Sequence, residues 1–436
     1  MARFLFAVPP LNGHVNPTVA VGAALTEAGH EVAWVGPPVV IAPLLPAGAL
    51  LLPAGEELGR DTVATVRDRA TGMRGPAAFK FLWEEFLLPL ARLTAPGIDR
   101  AVDEFVPDVL VADQQAIAGA IVARRRGITW ATSATTPAEL SRPFEALPKV
   151  GEWVRGLLVD IQLEMGVERA LASEGDLRFS DQLILAFTTE ALMGTVSAGV
   201  PAATAFVGPA LGGRPPTTDF PWEWLRDDAA SVLVSLGTVN VGAGDRFFAA
   251  ILEALDGLTL PMPSEGGVDE GVRGVDGVDK AGGAGGAGGA ARPVQAVVVA
   301  PPDVLGPAPP NVLVRESVPQ LELLSHLDAV VCHGGNNTVC ESLLHGLPLV
   351  LAPIRDDQPI VAEQVVEAGV GLRVRFGRVK APELRAALTA VLSEPRYREA
   401  AGRIQESFRV AGGAEAAARR LAALARSGSR VGHERP

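Results

Sequence analysis

Cysteine is scarce in this chain of 436 residues, which contains only Cys332 and Cys340. Two thiols are too few for a disulfide framework, and they lack the paired spacing of a structural zinc site. Long apolar runs are also missing, since no segment reaches the roughly 18 consecutive apolar residues of a membrane span. The stretch at residues 3–8 is too short for the core of a secretory signal. We therefore expect a cytoplasmic protein without a membrane span.

Positive charge is in deficit, because 38 Lys and Arg residues face 50 Asp and Glu residues and leave a formal net charge of -12. Such a surface repels a phosphate backbone, so nucleic acid is excluded as a main partner. Hydrophobic residues make up 48% of the chain and charged residues 20%, so a wholly disordered chain is excluded as well. The length predicts two or three domains of about 100 to 200 residues each.

The first 35 residues have the pattern of a strand, a loop, a helix and a second strand. The apolar run at residues 4–8 precedes a loop of Pro, Gly and Asn. Asn16 is predicted to cap the following helix, with Pro17 in the first helical position, where its missing N–H costs nothing. Gly29 ends this helix before a strand over residues 31–35. The pattern predicts the beginning of an open parallel sheet.

The same pattern continues to about residue 205. A short buried strand is predicted at residues 109–112; it ends at Asp113 and leads into a helix. Between residues 66–100 and 138–175 the spacing becomes helical, and ordinary core packing is a better explanation there than a ligand groove. We therefore assign no site residue in these two stretches. Residues 1–205 are interpreted as one N-terminal α/β domain.

A loop-rich linker at residues 206–228 separates this domain from a second one, which we place at residues 229–426 and follow with a frayed tail at 427–436. Short apolar runs recur in the second domain, as is typical of strands covered on both faces. These runs are at residues 232–234, 297–299, 312–314, 329–331 and 349–351. The sequence thus predicts two doubly wound α/β domains that face each other.

The second domain is interrupted at residues 263–292 by low-complexity Gly, Ala, Val and Asp. This composition cannot bury enough apolar area to offset the entropy of ordering, so we interpret it as a disordered surface insertion. Residues 283–288 match the dinucleotide fingerprint G-x-G-x-x-G. A working fingerprint follows a strand and opens a helix, whereas this one precedes a strand, so we judge the match spurious.

The strongest motif is a glycine-rich bend at residues 333–337. It comes directly after the strand ending at Cys332, and Thr338 with Glu341 forms the S/T-x-x-E pattern of a helix start. Gly346 is predicted to close that helix. A glycine bend lets the backbone approach a ligand, and a helix N-terminus offers unpaired N–H groups and a positive dipole.

This assembly is suited to phosphate. His333 adds a hydrogen-bond donor at the loop entrance, and Asn337 and Thr338 add short polar side chains beside the helix amides. The alternative is a helix start capped for stability alone. Downstream, Asp357 and Gln358 follow the strand at residues 349–352, at the edge where open α/β sheets bind ligands. Their acceptors and amide donor suit the hydroxyls of a sugar, whereas solvated loop charges are the alternative.

Several motifs together resemble the GT-B fold glycosyltransferases of family 1, which use nucleotide sugars and include the bacterial macrolide and antibiotic glycosyltransferases. The resemblance covers nearly the whole chain, and the order and spacing of its motifs make it specific. It implies two facing Rossmann-like, doubly wound domains with an interdomain cleft. The motifs lie at residues 13–17, 234–238, 318–320, 333–335 and 357–358.

The resemblance implies a donor-binding role for a set of residues in the second domain. The family commonly has an aromatic residue that stacks on the nucleotide base, and Ser317 stands in its place, which leaves the base open between TDP and UDP donors. Asn336 belongs to the same donor loop. The implied contacts are Thr238 in the cleft, Gln320 near the base, His333, Gly335, Asn337 and Thr338 on the diphosphate, Glu341 on the ribose, and Asp357 and Gln358 on the sugar.

His14 is the catalytic candidate, because it follows the first strand at the carboxyl edge of the sheet, and Asp113 ends another strand at that edge. A carboxylate bonded to one imidazole nitrogen fixes the tautomer and leaves the other nitrogen free to accept a proton. The resemblance implies that this pair is the base and its partner. Taken separately, Asp113 could cap the following helix and His14 could be a polar turn residue.

Together these features predict an inverting, metal-independent transferase that moves a sugar from a nucleoside diphosphate donor to a small, largely apolar aglycone. No D-x-D metal signature occurs in the sequence. A homodimer is left open. The alternatives are a nucleotide-sugar epimerase or hydrolase of the same fold and a non-catalytic auxiliary homologue. A nicotinamide oxidoreductase is disfavoured, since its fingerprint lies in the low-complexity insertion.

Overall fold

The computed structural model describes residues 1–59, 75–141, 147–212, 219–237, 244–261, 291–301 and 307–432, together with residues 61, 62, 65, 69, 73, 145 and 305. The first sheet within these ranges is wholly parallel, in the order β3-β2-β1-β4-β5-β6-β7. Its strands are β1 (Arg3–Ala7), β2 (Glu31–Gly36), β3 (Leu50–Pro53), β4 (Val109–Asp113), β5 (Trp130–Ala134), β6 (Ile184–Ala186) and β7 (Thr204–Phe206).

Helices cover both faces of this sheet, as expected for strands that are apolar on both sides. They are α1 (Asn12–Glu27), α2 (Pro38–Ile41), α3 (Gly75–Phe81), α4 (Leu88–Phe105), α5 (Ile117–Arg126), α6 (Pro148–Glu164), α7 (Arg169–Ala172) and α8 (Glu190–Met193). A π-helical segment, Leu82–Leu87, joins α3 to α4, and 3-10 turns occur at Ala42–Leu44, Pro137–Ser141 and Gly194–Gly199.

The second sheet repeats the strand order of the first, as β11-β10-β8-β12-β13-β14, with β9 antiparallel to β10 at one end. Its strands are β8 (Ala230–Ser235), β9 (Thr259–Pro261), β10 (Ala291–Val299), β11 (Val312–Arg315), β12 (Ala329–Cys332), β13 (Leu349–Leu351) and β14 (Gly371–Arg373). The strand order reverses between β1 and β4 in one sheet and between β8 and β12 in the other. Such switch points create the crevice in which open α/β sheets bind ligands.

The helices of the second half are α9 (Asp245–Leu255), α10 (Gln320–Leu323), α11 (Asn336–Leu344), α12 (Gln358–Glu367), α13 (Ala381–Ser393), α14 (Pro395–Ala411) and α15 (Gly413–Gly432), with 3-10 turns at Trp222–Trp224 and Leu324–His326. The expectation of two doubly wound α/β domains is confirmed. No helix in the described ranges is long and apolar enough to cross a membrane.

The last helix departs from the sequence prediction, which assigned residues up to 426 to the C-terminal domain and the remainder to a frayed tail. The chain reverses at Gly412 and Gly413, which have φ of 84° and 53°. The α15 helix then packs on α1, and Ala417 and Leu421 are buried in the same cluster as Val19. Helical periodicity shows that a helix has an apolar face, but it does not show which domain that face covers.

The predicted insertion at residues 263–292 lies almost entirely outside the described residues, and so does the fingerprint match at 283–288. Its last two residues are described, and they belong to β10, which begins at Ala291 and pairs with β9. The end of the predicted insertion is therefore wrong by two residues. β-branched and apolar residues take over there, and Val294 to Val298 form a buried central strand.

Candidate functional site

The first helix begins five residues earlier than predicted. Helix α1 starts at Asn12, and the His14 amide donates to the Leu11 carbonyl at 2.9 Å. Asn16 is therefore not the cap, and Pro17 lies inside the helix. The local preference of Asn for a cap and of Pro for a first turn is weak, and here the helix continues through both residues. His14 thus stands in the first turn, at the carboxyl edge of the first sheet.

Pro17 has a specific consequence for this turn. In an α-helix the N–H of residue 17 would donate to the carbonyl of residue 13, and proline has no N–H. The carbonyl of Gly13 instead accepts a hydrogen bond of 3.0 Å from Nδ2 of Asn337. Asn337 belongs to α11 of the other domain. The helix tip that carries His14 and the glycine-rich loop of the second sheet are therefore in direct contact across the cleft.

His14 and Asp113 form a hydrogen-bonded pair, with 2.8 Å between Nδ1 and Oδ1. The Asp113 side chain is fully buried, whereas 13% of the His14 side chain is exposed. Asp113 Oδ1 also accepts the amide of Gln115 at 2.8 Å, which closes a turn before α5. Helix α5 begins two residues later, so Asp113 is not its cap. The pairing predicted from strand ends is present in the structure.

Thr135 completes this group, although it was not among the predicted site residues. Its hydroxyl donates to Oδ2 of Asp113 at 2.7 Å and lies 2.7 Å from Nδ1 of His14. Thr135 comes directly after β5, which pairs with β4 in the sheet. The detectable signal was a hydroxyl residue at the end of a neighbouring strand, but serine and threonine are too common at such positions to be singled out.

Carboxylates surround the imidazole. Burial lowers the pKa of His14, but the charge and hydrogen bond of Asp113, supported by Asp357 and Glu139, outweigh it and raise the pKa above its ordinary value. Glu139 lies in the 3-10 turn after β5, and burial raises its pKa. Its Oε2 accepts a hydrogen bond of 2.6 Å from Arg178. Glu139 was also not predicted, because it falls in a stretch to which no site residue was assigned.

The glycine-rich loop also leads into its helix earlier than predicted. Helix α11 begins at Asn336 with Gly335 at the N-cap position, where no side chain caps the helix. The predicted capping pair of Thr338 and Glu341 is therefore wrong. Glu341 is buried within the helix, and its Oε2 accepts a hydrogen bond of 2.6 Å from Nε2 of Gln320. The first turn of α11 thus offers main-chain amides and the positive end of the helix dipole to the cleft.

His333 fills the space between two glycines. A Cβ atom on Gly237 would lie 2.6 Å from Cε1 of His333, and one on Gly335 would lie 2.5 Å from Nε2. Gly237 also has φ of 71°, which a residue with a side chain rarely adopts. Burial lowers the pKa of His333 to about 4. The imidazole is therefore neutral at pH 7 and supplies an N–H donor rather than a positive charge.

The segment after β13 packs directly on this loop. A Cβ on Gly334 would lie 3.3 Å from the carbonyl oxygen of Gln358. Oε1 of Gln358 accepts the amides of Ile354 and Arg355 at 2.8 and 3.1 Å, so this side-chain oxygen fixes the loop. Asp357 precedes α12, and burial, aided by the charges of Asp356 and Glu139, raises its pKa to about 7.

The other predicted donor residues have these positions. Ser317 is exposed in the loop before α10, and Thr238 lies outside the described residues. Asn336 Oδ1 lies 3.7 Å from Sγ of Cys340, and the carbonyl of Thr338 accepts the hydroxyl of Ser342 at 2.7 Å. The structure brings His14, Asp113, the α11 start and Asp357 to one cleft, and the ligand contacts of these residues stay predictions.

The proteins similar to this chain include glycosyltransferases of antibiotic biosynthesis. The family described as erythromycin biosynthesis protein CIII-like, C-terminal domain, matches residues 295–424. Demethyllactenocin mycarosyltransferase of Streptomyces fradiae is 29% identical over 96% of this chain and 85% of its own length. 4'-Demethylrebeccamycin synthase of Lentzea aerocolonigenes is 27% identical over 93% of this chain and 96% of its own length. Over nearly its whole length the chain is therefore similar to bacterial glycosyltransferases of the antibiotic type.

The chain has the GT-B fold. The crystal structure of CalG4, the calicheamicin glycosyltransferase, aligns with a TM-score of 0.70 over 97% of this chain and 98% of that chain, at 24% identity. The fold implied by the resemblance of the motifs is thus confirmed. The cleft between the two sheets is the place in this fold where the two groups of polar residues meet.

Proposed function

We propose that this chain is an inverting glycosyltransferase that moves a sugar from a nucleoside diphosphate to a hydroxyl group of a small, largely apolar natural-product aglycone. The single observation that carries this proposal is the contact between Gly13 and Asn337. It sets a hydrogen-bonded imidazole on one side of the cleft and an uncapped helix N-terminus on the other. A proton acceptor and an anion-binding site then flank the space between the domains.

The His14 side is suited to activating the acceptor. Asp113 accepts a hydrogen bond from Nδ1–H, so Nε2 is the free acceptor nitrogen of the neutral ring. Nε2 removes the proton from the acceptor hydroxyl as the oxygen attacks the anomeric carbon. Asp113 then stabilises the imidazolium. The attacking oxygen forms the new C–O bond from the N-terminal side while the bond to the diphosphate breaks on the opposite side, so the configuration of the sugar inverts.

The α11 side is suited to the leaving group. The first-turn amides and the helix dipole stabilise the charge that develops on the departing diphosphate. His333 adds a neutral N–H donor beside these amides. We propose that this charge compensation makes an added metal ion unnecessary. Asp357 and Gln358 hold hydroxyls of the transferred sugar, and the Gln320–Glu341 pair contacts the nucleoside.

The acceptor class is inferred from the named relatives, whose names place them in antibiotic chemistry. The donor is a TDP- or UDP-sugar, and Ser317 leaves this choice open because a serine cannot stack on the base as an aromatic ring does.

The test is a transfer assay with mass-spectrometric detection of glycosylated aglycones, after thermal-shift screening of nucleoside diphosphates has selected the donor. We expect product only when donor and aglycone are both present, and we expect the same rate with EDTA. Conversion of the donor alone would instead indicate an epimerase or hydrolase. Nucleotide binding with no conversion of any kind would favour a non-catalytic auxiliary protein. Loss of transfer on chelation would contradict metal independence alone.

A further inference from the structure

Thr135 occupies a position that the His14–Asp113 pair does not explain. It is buried, directly after β5, and its hydroxyl is in hydrogen-bond distance of both partners of the pair. The three side chains come from three different segments of the N-terminal domain: the first turn of α1, the end of β4 and the residue after β5. They form a closed triangle with edges of 2.8, 2.7 and 2.7 Å.

The number of hydrogens available to these three side chains determines which ring nitrogen of His14 carries a hydrogen. A threonine hydroxyl has one hydrogen and can accept with its lone pairs. Because Thr135 donates this hydrogen to Oδ2 of Asp113, it faces Nδ1 of His14 as an acceptor. Oδ1 of Asp113 is also an acceptor toward the same nitrogen. Two acceptors around Nδ1 require a hydrogen on Nδ1 and disfavour the tautomer that carries it on Nε2.

We propose that Thr135 is a positioning residue, which holds His14 in the Nδ1–H tautomer and turns Nε2 toward the acceptor hydroxyl. The inference deepens the proposed function and rests on His14 being the base. Thr135 acts through two bonds at once: it completes the hydrogen-bonding of the buried Asp113 carboxylate, and it gives Nδ1–H a second acceptor.

The first test uses matched substitutions. Thr135→Val keeps the shape and removes the hydroxyl, whereas Thr135→Ser keeps the hydroxyl. We expect the valine variant to lose about tenfold in kcat, a part of the roughly 10²–10⁴-fold that general-base catalysis contributes, with little change in the KM for the donor. The serine variant should recover most of the rate. Thr136→Val is the control, because the adjacent Thr136 hydroxyl is buried and has no hydrogen-bond partner in the described part of the chain.

The second test does not depend on activity. Imidazole ¹⁵N chemical shifts of histidine-labelled protein, with His14 assigned from a His14→Gln variant, report the tautomer directly. We expect Nδ1–H in the unsubstituted protein and in Thr135→Ser, and a mixture of tautomers in Thr135→Val. Identical His14 shifts and kcat in the valine variant would overturn the positioning role. If the unsubstituted protein transfers no sugar, the proposed function fails, and the shifts still test Thr135.

Discussion

The side-chain amide of Asn337 donates to the carbonyl of Gly13 at 3.0 Å, and this carbonyl is available because Pro17 cannot donate to it. A proline inside a helix normally destabilises it by about 3 kcal/mol, since a hydrogen bond is lost and the ring clashes with the preceding turn. Here the lost intrahelical bond is replaced by a bond from the other domain. The missing N–H of Pro17 therefore leaves the Gly13 carbonyl available to join α1 to the other domain.

This relationship predicts coupling between Pro17 and Asn337. Asn337→Ala should weaken nucleotide binding by about two- to thirteenfold, the value of one hydrogen bond of roughly 0.5–1.5 kcal/mol. Pro17→Ala restores an N–H that competes for the Gly13 carbonyl. The asparagine substitution should therefore have a smaller effect in the alanine background, measured by calorimetry of nucleotide binding to all four proteins. Strictly additive changes in binding free energy would show that the two residues act separately.

The packing of His333 between glycines predicts that Gly237→Ala impairs donor binding. The new methyl group would lie 2.6 Å from Cε1 of His333 and would displace the ring. Gly257→Ala is a matched control, because Gly257 also has a positive φ, of 57°, and no atom within 4 Å of the added Cβ. Both variants should lose about 1 kcal/mol of folding free energy from the backbone.

The difference between the two glycine variants isolates the effect on the ring. In nucleotide-binding measurements, the Gly237 variant should lose at least about tenfold in affinity, or some 1.4 kcal/mol, while the Gly257 variant should bind normally. Equal affinities would mean that His333 does not need this position to bind the donor.

The raised pKa of His14 predicts the pH dependence of transfer. Although burial alone would lower this pKa, Asp113 and the further carboxylates raise it above 6.5. A general base works only when neutral, so kcat/KM should be constant at high pH and fall as the pH drops through a value above 6.5. Glu139→Gln removes one of the raising charges and should move this acidic limb to lower pH.

The fold should tolerate that change, since Arg178 keeps its bonds to Asp176 at 3.0 and 2.6 Å. Glu152→Gln, at an exposed position on α6, serves as the control and should leave the profile in place. An acidic limb that moved to higher pH in the Glu139 variant, or that stayed fixed, would contradict the electrostatic coupling between Glu139 and His14.

The sequence was sufficient to place the polar site residues at strand ends. The buried apolar runs and the polar residues after them mark the carboxyl edges of parallel strands. It therefore identified His14, Asp113 and the loop at His333 as neighbours of one cleft. It misplaced both helix starts, at Asn16 and at Thr338. Capping preferences are worth about 1 kcal/mol, and tertiary contacts override them.

Contacts between segments that are distant in the chain could not be predicted from the sequence. Thr135 and Glu139 lie near the site only because β4 and β5 are neighbours in the sheet. Nothing in their local sequence distinguishes them from other polar turn residues. Helix α15 has a clear apolar face, but its partner α1 is almost 400 residues earlier in the chain, and only the glycine turn at Gly412 redirects it there.

The central claim is that the imidazole of His14 removes the proton from the hydroxyl group of the sugar acceptor. Its most direct test compares the transfer rate and the nucleotide affinity of the His14→Ala variant with those of the unsubstituted protein. His30→Ala is the control, because His30 lies at the opposite edge of the sheet and accepts a hydrogen bond of 3.1 Å from the amide of Ala2. We expect transfer to fall at least about 100-fold in the His14 variant, with nucleotide affinity unchanged and with normal turnover in the control. A His14→Ala protein that transfers sugar at the unsubstituted rate would contradict the account.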